Sequence, residues 1–181
     1  MVARLFEKYK SDIVPALKQK FGYKSPMGVP KLKKIVISMG IGTAHQDQAR
    51  LEMCIKQLTA ISGQKPIVTL AKKSISNFKL REGMKVGLKV TLRGPRMYEF
   101  LDRLVSLAIP RVKDFRGLSP SGFDGRGSYN MGLAEQTVFS EVDAASVTFT
   151  QGMNIAMQTS AEKDEEAREL LSLLGMPFRL S

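Results

Sequence analysis

Cysteine, histidine and long apolar runs are scarce in this sequence, and each shortage removes a class of function. A single cysteine, Cys54, leaves no internal disulfide and no multi-cysteine zinc site. It falls on the apolar side of an expected helix, where a buried structural thiol is the natural reading and a nucleophile is not. The single histidine, His45, sits between polar neighbours Thr43 and Gln46 and reads as a surface side chain, not a general base. No stretch approaches the ~18 apolar residues of a membrane-spanning helix. The opening "MVARLFEKYKSDIVPALKQK" mixes charged and apolar residues and lacks the continuous apolar centre of a secretory signal. A soluble, cytoplasmic protein with no membrane partner is expected. No transit peptide is visible, which favours a bacterial over an organellar chain.

Phosphate-loop patterns are missing too. In "FDGRGSYNMG" Asn130 stands at the third glycine position of G-x-G-x-x-G, and "SGQKP" has no G-K-[ST]. The cluster "EKDEE" at 162–166 opens an expected helix, so it reads as a charged first turn and not as paired catalytic carboxylates. No acid–base pair and no metal-ligand constellation remains. The expectation is a protein that is not an enzyme, with no cofactor, no metal and no small-molecule substrate.

Positive charge is abundant, and it is unevenly placed. The net charge is +11 over 181 residues. Residues 1–64 carry 11 basic and 4 acidic side chains, residues 65–116 carry 13 and 4, and residues 117–181 carry 4 and 9. The chain is therefore expected as one domain over 1–181, with a basic part at about 1–116 and an acidic part at about 117–181. A one-sided positive field of this size points to a polyanion, with nucleic acid first.

Periodicity gives the elements. Leu5, Phe6, Tyr9, Ile13, Leu17 and Phe21 recur at helical spacing, with Pro15 expected to kink or split the helix. "LKKIVISMG" (32–40) reads as a strand, with Ile35, Ile37 and Met39 on one face and Lys34, Val36 and Ser38 on the other. A helix is expected after Asp47, ending at Ser62-Gly63. "PIVTL" (66–70) and "KVGLKVTLR" (85–93) are strands. The second alternates Val86, Leu88, Val90 and Leu92 against Lys85, Lys89, Thr91 and Arg93. "GPRMYEFLDRLVSLAI" predicts a helix with Met97, Phe100, Leu101, Leu104 and Leu107 on its buried side, ended by Pro110. Residues 114–132 read as loop, 133–139 and 146–158 as strands, and about 162–174 as a helix capped by Thr159 with Glu162. From residue 32 the order β-α-β-β-α-β predicts an α+β, ferredoxin-like (RRM-like) antiparallel sheet. Helices would pack on one face, with N- and C-terminal helices added, and a long basic β-hairpin loop would leave one edge. The open face would carry Ser38, Lys85, Lys89, Thr91 and Arg93. Strand 85–93 lacks the interleaved aromatics of an RRM, so phosphates, 2′-hydroxyls and RNA shape are the expected targets, not stacked bases.

Longer blocks carry a resemblance. "ISGQKPIVTLAKKSISNFKLREGMKVGLKVTLRGPRMYEFLDRL", "IPRVKDFRGL", "FDGRGSYNMG", "EQTVF", "TSAEKDEEARELL" and "GMPFR" follow one another in order over essentially the whole chain. The sequence closely resembles the bacterial-type large-subunit ribosomal protein L5 family, the 5S rRNA-binding proteins of the central protuberance. The resemblance implies contacts with 5S rRNA, 23S rRNA and neighbouring large-subunit proteins. It also implies a loop reaching the peptidyl-site tRNA, and a bridge to a basic protein in the small-subunit head. A non-ribosomal RNA-binding module or RNA chaperone is the alternative.

The family's 5S contacts carry over to Ser38-Met39-Gly40, Gln64 and Thr91. With Lys33, Lys89 and Arg93 added, Ser38, Met39, Gln64 and Thr91 make the expected rRNA-binding set. Lys72, Lys73, Ser74, Asn77, Lys79 and Arg81 make the tRNA-binding loop 71–84, in which Phe78 either anchors the loop by packing or stacks on RNA. Glu135, Glu141 and Asp143 are the candidates for the subunit bridge. Three positions depart from the family pattern: Ser38 replaces asparagine, Ser140 replaces proline and Asn154 replaces aspartate. The shorter Ser38 offers one hydroxyl where an amide offers a donor and an acceptor.

Overall fold

The computed structural model describes residues 3–42, 47–143 and 147–179; His45 lies outside them. Helices α1 (Arg4–Lys8) and α2 (Val14–Phe21) are joined by a widened π turn at Tyr9–Ile13. Pro15 has no N–H to give and would crowd a regular preceding turn. Here it occupies the first turn of α2, directly after the widened turn. Strand β1 (Leu32–Gly40) is followed by α3 (Gln48–Ser62). Asp47 caps α3 by accepting from the Arg50 N–H at 2.9 Å, and Gly63 at φ 65° ends it. Strands β2 (Ile67–Leu70) and β3 (Lys85–Leu92) come next, then α4 (Gly94–Arg103) with Pro95 in its first turn. Strands β4 (Ser128–Leu133) and β5 (Met153–Thr159) and helix α5 (Asp164–Leu173) complete the order.

The five strands form one antiparallel sheet in the order β2-β3-β1-β5-β4, within an α+β, ferredoxin-like fold. Several details differ from the sequence expectation. The strand expected near 133–139 lies at Ser128–Leu133 instead, inside a segment read as loop, and Gln136–Val138 is a 3-10 turn. Tyr129 and Leu133 do alternate inward, but Gly125, Gly127 and Gly132 around them look like turn chemistry. The next strand begins at Met153, and residue 146 of the expected 146–158 segment lies outside the described residues. The partner of β1 is β5, not the strand that comes sixth, and β4 takes the edge.

Leu107 is 49% exposed, not buried. A π segment at Leu104–Ala108 adds a residue to the turn and rotates Leu107 off the apolar stripe. Thr159 does not cap α5. It is buried at the end of β5, donating to the Gly127 carbonyl at 2.6 Å and accepting from the Ala161 N–H at 3.1 Å.

Packing divides the chain into two compact units. The first takes the described residues up to Val36, Leu92–Met131 and those from Ile155 on. In it α1 lies on α4, with the Phe6 and Tyr98 rings 5.2 Å apart and Arg4 donating twice to Asp102, at 2.6 and 3.0 Å. The second unit takes the described residues of Ile37–Thr91 and Gly132–Asn154. Its core includes Leu51, Cys54, Leu58 and Ile61 of α3 with Leu88 and Val90 of β3. Burial pushes the Cys54 thiol above its ordinary pKa, which suits an inert packing residue.

Candidate nucleic-acid interface

Alternation along two strands builds the interface of the second unit. On β3, Leu88, Val90 and Leu92 are buried, Lys85 and Lys89 are exposed, and Thr91 is half-buried. On β1, Ile35, Ile37 and Met39 are buried while Ser38 is half-buried. The hydroxyls of Ser38 and Thr91 make no side-chain hydrogen bond among the described residues. They are polar groups on a lysine-bearing face with capacity left over. No cross-strand hydroxyl contact engages Thr91 among those residues.

Met39 stands apart from its neighbours. It is 1% exposed over the whole residue, so neither its side chain nor its backbone offers a ligand open surface. That backbone is closely packed. A Cβ added at Gly87 would lie 2.5 Å from the Met39 carbonyl oxygen and 3.2 Å from Thr69 Oγ1, so β3 needs a glycine there to pass β1. Gln64 follows the αL glycine that ends α3. Its backbone is pinned by Ser62, whose hydroxyl donates to the Gln64 carbonyl at 2.9 Å, while its side chain is half-exposed. Lys33 and Arg93 belong to the first unit. Lys33 is exposed but shares the phase of Ile35, and Arg93 is exposed as the residue before α4.

Two residues of this face escaped the sequence pattern. Strand β2 pairs with β3 through Ile67 opposite Lys89, Val68 opposite Leu88, Thr69 opposite Gly87, and Leu70 opposite Lys85. Residues directly opposite one another project to the same side of a sheet. Ile67 therefore joins Lys89 on the open face. Simple alternation would send Leu70 to the core beside Val68. A register shift between Thr69 and Leu70 turns it outward beside Lys85 instead. The two are 73% and 54% exposed. A bulge leaves no mark in so short an apolar run, so composition had no signal to offer.

The loop 71–84 is folded, not slack. The Ala71 N–H donates to the Met84 carbonyl at 2.8 Å, and the Gly83 N–H to the Ala71 carbonyl at 3.0 Å. Further out, Ile75 and Leu80 exchange two bonds of 2.9 and 3.1 Å around a 3-10 turn at Ser76–Phe78, and Lys79 adopts φ 50°. Ser74 Oγ accepts from the Glu82 N–H at 3.0 Å. Ser74, Ser76, Lys79, Leu80, Arg81 and Met84 line a hollow of about 630 Å³. Lys72, Lys73, Asn77, Lys79 and Arg81 are exposed, and none of the loop's cations forms an ion pair among the described residues. Phe78 is 73% exposed and so does not anchor the loop.

A buried polar network supports the end of β1. Gln136 is fully buried; its Nε2 donates to the Phe149 carbonyl at 2.8 Å, and its Oε1 accepts from the Gln151 N–H at 2.6 Å. The Gln151 side chain donates to the Gly40 carbonyl at 2.9 Å and accepts from Arg50 at 3.0 Å. Arg50 lies over the Phe149 ring at 4.2 Å. On the same segment Glu135 accepts from the Thr137 hydroxyl, Glu141 accepts from Ser140, and Asp143 is exposed.

The glycine-rich stretch of the first unit has no free anion cradle. Asp124 Oδ1 accepts from the Arg126 and Ser128 N–H groups at 2.9 and 3.0 Å, and Asp164 accepts from those of Gly125 and Gly127 at 3.0 and 2.8 Å. The Ser128 and Arg126 donors hold the Asp124 carboxyl below its usual pKa. Two carboxylates already occupy the amides that a phosphate would need.

Known proteins match this sequence over nearly its whole length. Residues 25–81 match the family model described as ribosomal protein L5, and residues 85–178 match the one described as the ribosomal L5P family C-terminus. Three bacterial proteins named large ribosomal subunit protein uL5 align with it. That of Alkaliphilus metalliredigens is 55% identical over 98% of this chain and 99% of its own length. That of Syntrophomonas wolfei is 54% identical over 98% and 100%, and that of Rubrobacter xylanophilus 57% over 98% and 99%.

Proposed function

The chain belongs to the ribosomal protein L5 family, and on that premise we propose that it is a structural, RNA-binding component of the large ribosomal subunit and not an enzyme. It binds 5S rRNA, and also 23S rRNA, in the central protuberance. The sheet face of the second unit holds 5S rRNA through Ser38, Gln64, Lys89 and Thr91, and Lys33 and Arg93 add charge to the rRNA contact. Loop 71–84 meets the peptidyl-site tRNA through Lys72, Lys73, Ser74, Asn77, Lys79 and Arg81. Phosphate contacts suit a tRNA whose sequence changes each cycle, because they carry no sequence information. Glu135, Glu141 and Asp143 face the basic protein of the small-subunit head across a complementary surface.

One observation carries this reading. The Ser38 and Thr91 hydroxyls stand half-exposed and unpaired among the described residues, on strands whose exposed charges are all positive. Such groups fit 2′-hydroxyls and phosphates. A filter-binding titration of the purified protein against 5S rRNA over a salt series tests it. With five or six phosphates engaged, log K falls against log salt with a slope of roughly −4 to −5. A slope near zero overturns the reading.

A further inference from the structure

The open face is not purely polar, and its two apolar members are placed by register, not by chance. Ile67 lies opposite Lys89, and Leu70 is turned outward opposite Lys85 by the shift after Thr69. Both are more than half exposed, on an edge strand of four residues. Single exposed aliphatics are ordinary on a protein surface. Two on one face of so short a strand, each beside a lysine, form a mixed patch with a definite chemistry. Neither β2 nor β3 contains an acidic residue, and Lys65 and Lys72 bracket β2. The charge surrounding the patch selects a polyanion. A polyanion that also offers apolar surface is RNA, whose wide minor groove shows sugars and base edges between its phosphates.

We propose that Ile67 and Leu70 are RNA-contacting residues that pack on the sugars and base edges of the RNA held by this face, while Lys85 and Lys89 take its phosphates. The division of labour is physical. Ion pairing with phosphates releases counterions and weakens as salt rises. Removal of aliphatic surface from water releases none, so its contribution is nearly independent of salt. The face therefore has a salt-dependent part carried by lysines and a salt-independent part carried by the aliphatic pair. This inference rests on the RNA-binding function proposed above and names the chemistry of that same surface.

The test is a salt series with the full chain and 5S rRNA, read as log K against log salt. The double variant Ile67→Ser/Leu70→Ser should bind roughly ten-fold to a hundred-fold more weakly at every salt, on a line parallel to wild type. The double variant Lys85→Ser/Lys89→Ser should give a line flatter by about 1.5–2. Ile67→Val should retain most of the affinity. The aliphatic positions are exposed, so melting temperature should stay near that of wild type in both double variants. A serine double variant that superposes on wild type overturns the proposal. So does a wild-type dimer that the serine variant converts to monomer with RNA affinity unchanged, since the patch then belongs to a second copy. Failure of the wild-type chain itself to bind would show before any variant is made, and would fall on the RNA-binding function as a whole.

Discussion

The open sheet face and the loop 71–84 are adjacent in sequence, both basic, and held in opposite ways. On the face, side chains fix the geometry. Strand register sets which residues point outward, Gly87 permits close passage, and the Gln136–Gln151 network ties the end of β1 from behind. In the loop, backbone bonds do most of the holding, and nearly every side chain is left facing solvent. A face with short, half-buried polar groups suits a partner that stays in place. A folded tip with long exposed cations, which reorient without disturbing their backbone, suits one that comes and goes. Substitutions that damage one region and spare the other put this contrast to the test.

The largest effect is expected from Gln136→Leu. Leucine fills a similar volume but leaves the Phe149 carbonyl and the Gln151 N–H without partners in a buried site. Each such group costs about 1–3 kcal/mol, so a loss of roughly 2–5 kcal/mol is expected in denaturant unfolding. The damage should spread through Gln151 to Gly40. Amide exchange should quicken at the end of β1, while the N–H groups of Ile75 and Leu80 keep their protection. Equal loss of protection in the loop would erase the distinction between the two regions.

Gly87→Ala comes next. The added methyl would lie 2.5 Å from a backbone oxygen, which cannot rotate away as a side chain could. Overpacking of this kind costs about 1–3 kcal/mol, and a domain of this size loses about 2–4 °C of melting temperature per kcal/mol. RNA affinity should fall as well, because the strand that yields is the one carrying Ser38 and Met39. An alanine variant that melts with wild type would mean that β1 and β3 pass less closely than their backbones indicate.

Much of this was legible in the residues, and what was not has identifiable causes. The alternation of 85–92 gave β3, its two faces and the outward Thr91, because a half-buried strand must repeat every second residue. The basic loop and its exposed cations followed from charge and from the strands around it. The outward turn of Leu70 did not, since a one-residue register shift reverses a side chain without changing composition. Leu107 escaped for the same kind of reason in a helix, where a single π turn moves a residue off its stripe. Strand β4 was hidden by the glycines around it, and the Gln136–Gln151 network joins residues whose partnership depends on tertiary placement.

Thr91→Ala sharpens the contrast from the binding side. Its hydroxyl has no side-chain hydrogen bond among the described residues, so its removal should leave melting temperature nearly unchanged. A contact with RNA of ordinary strength is worth about 1–2 kcal/mol, which reads as roughly a five-fold to thirty-fold weaker 5S complex. Lower melting temperature with unchanged affinity would place the hydroxyl in the fold, not on the ligand.

The smallest effect is expected where an aromatic residue would ordinarily signal the largest. Phe78 sits at the tip of the loop, 73% exposed, at the end of the 3-10 turn Ser76–Phe78. A phenylalanine that anchored the loop would be buried against Ile75, Leu80 or Met84, and its truncation would cost about 3–5 kcal/mol. Exposed substitutions usually stay within about 0.5 kcal/mol, so Phe78→Ala should be almost silent in unfolding. The Ile75–Leu80 bonds and the Ser74–Glu82 bond should persist, since none of them involves its ring. Amide exchange at Leu80 and Glu82 reads this directly. Protection retained in the alanine variant means that the tip is folded by its backbone and the ring is held out as contact surface. Protection lost would make Phe78 the anchor and would move the loop into the same class as the sheet face, with side chains as its fastening.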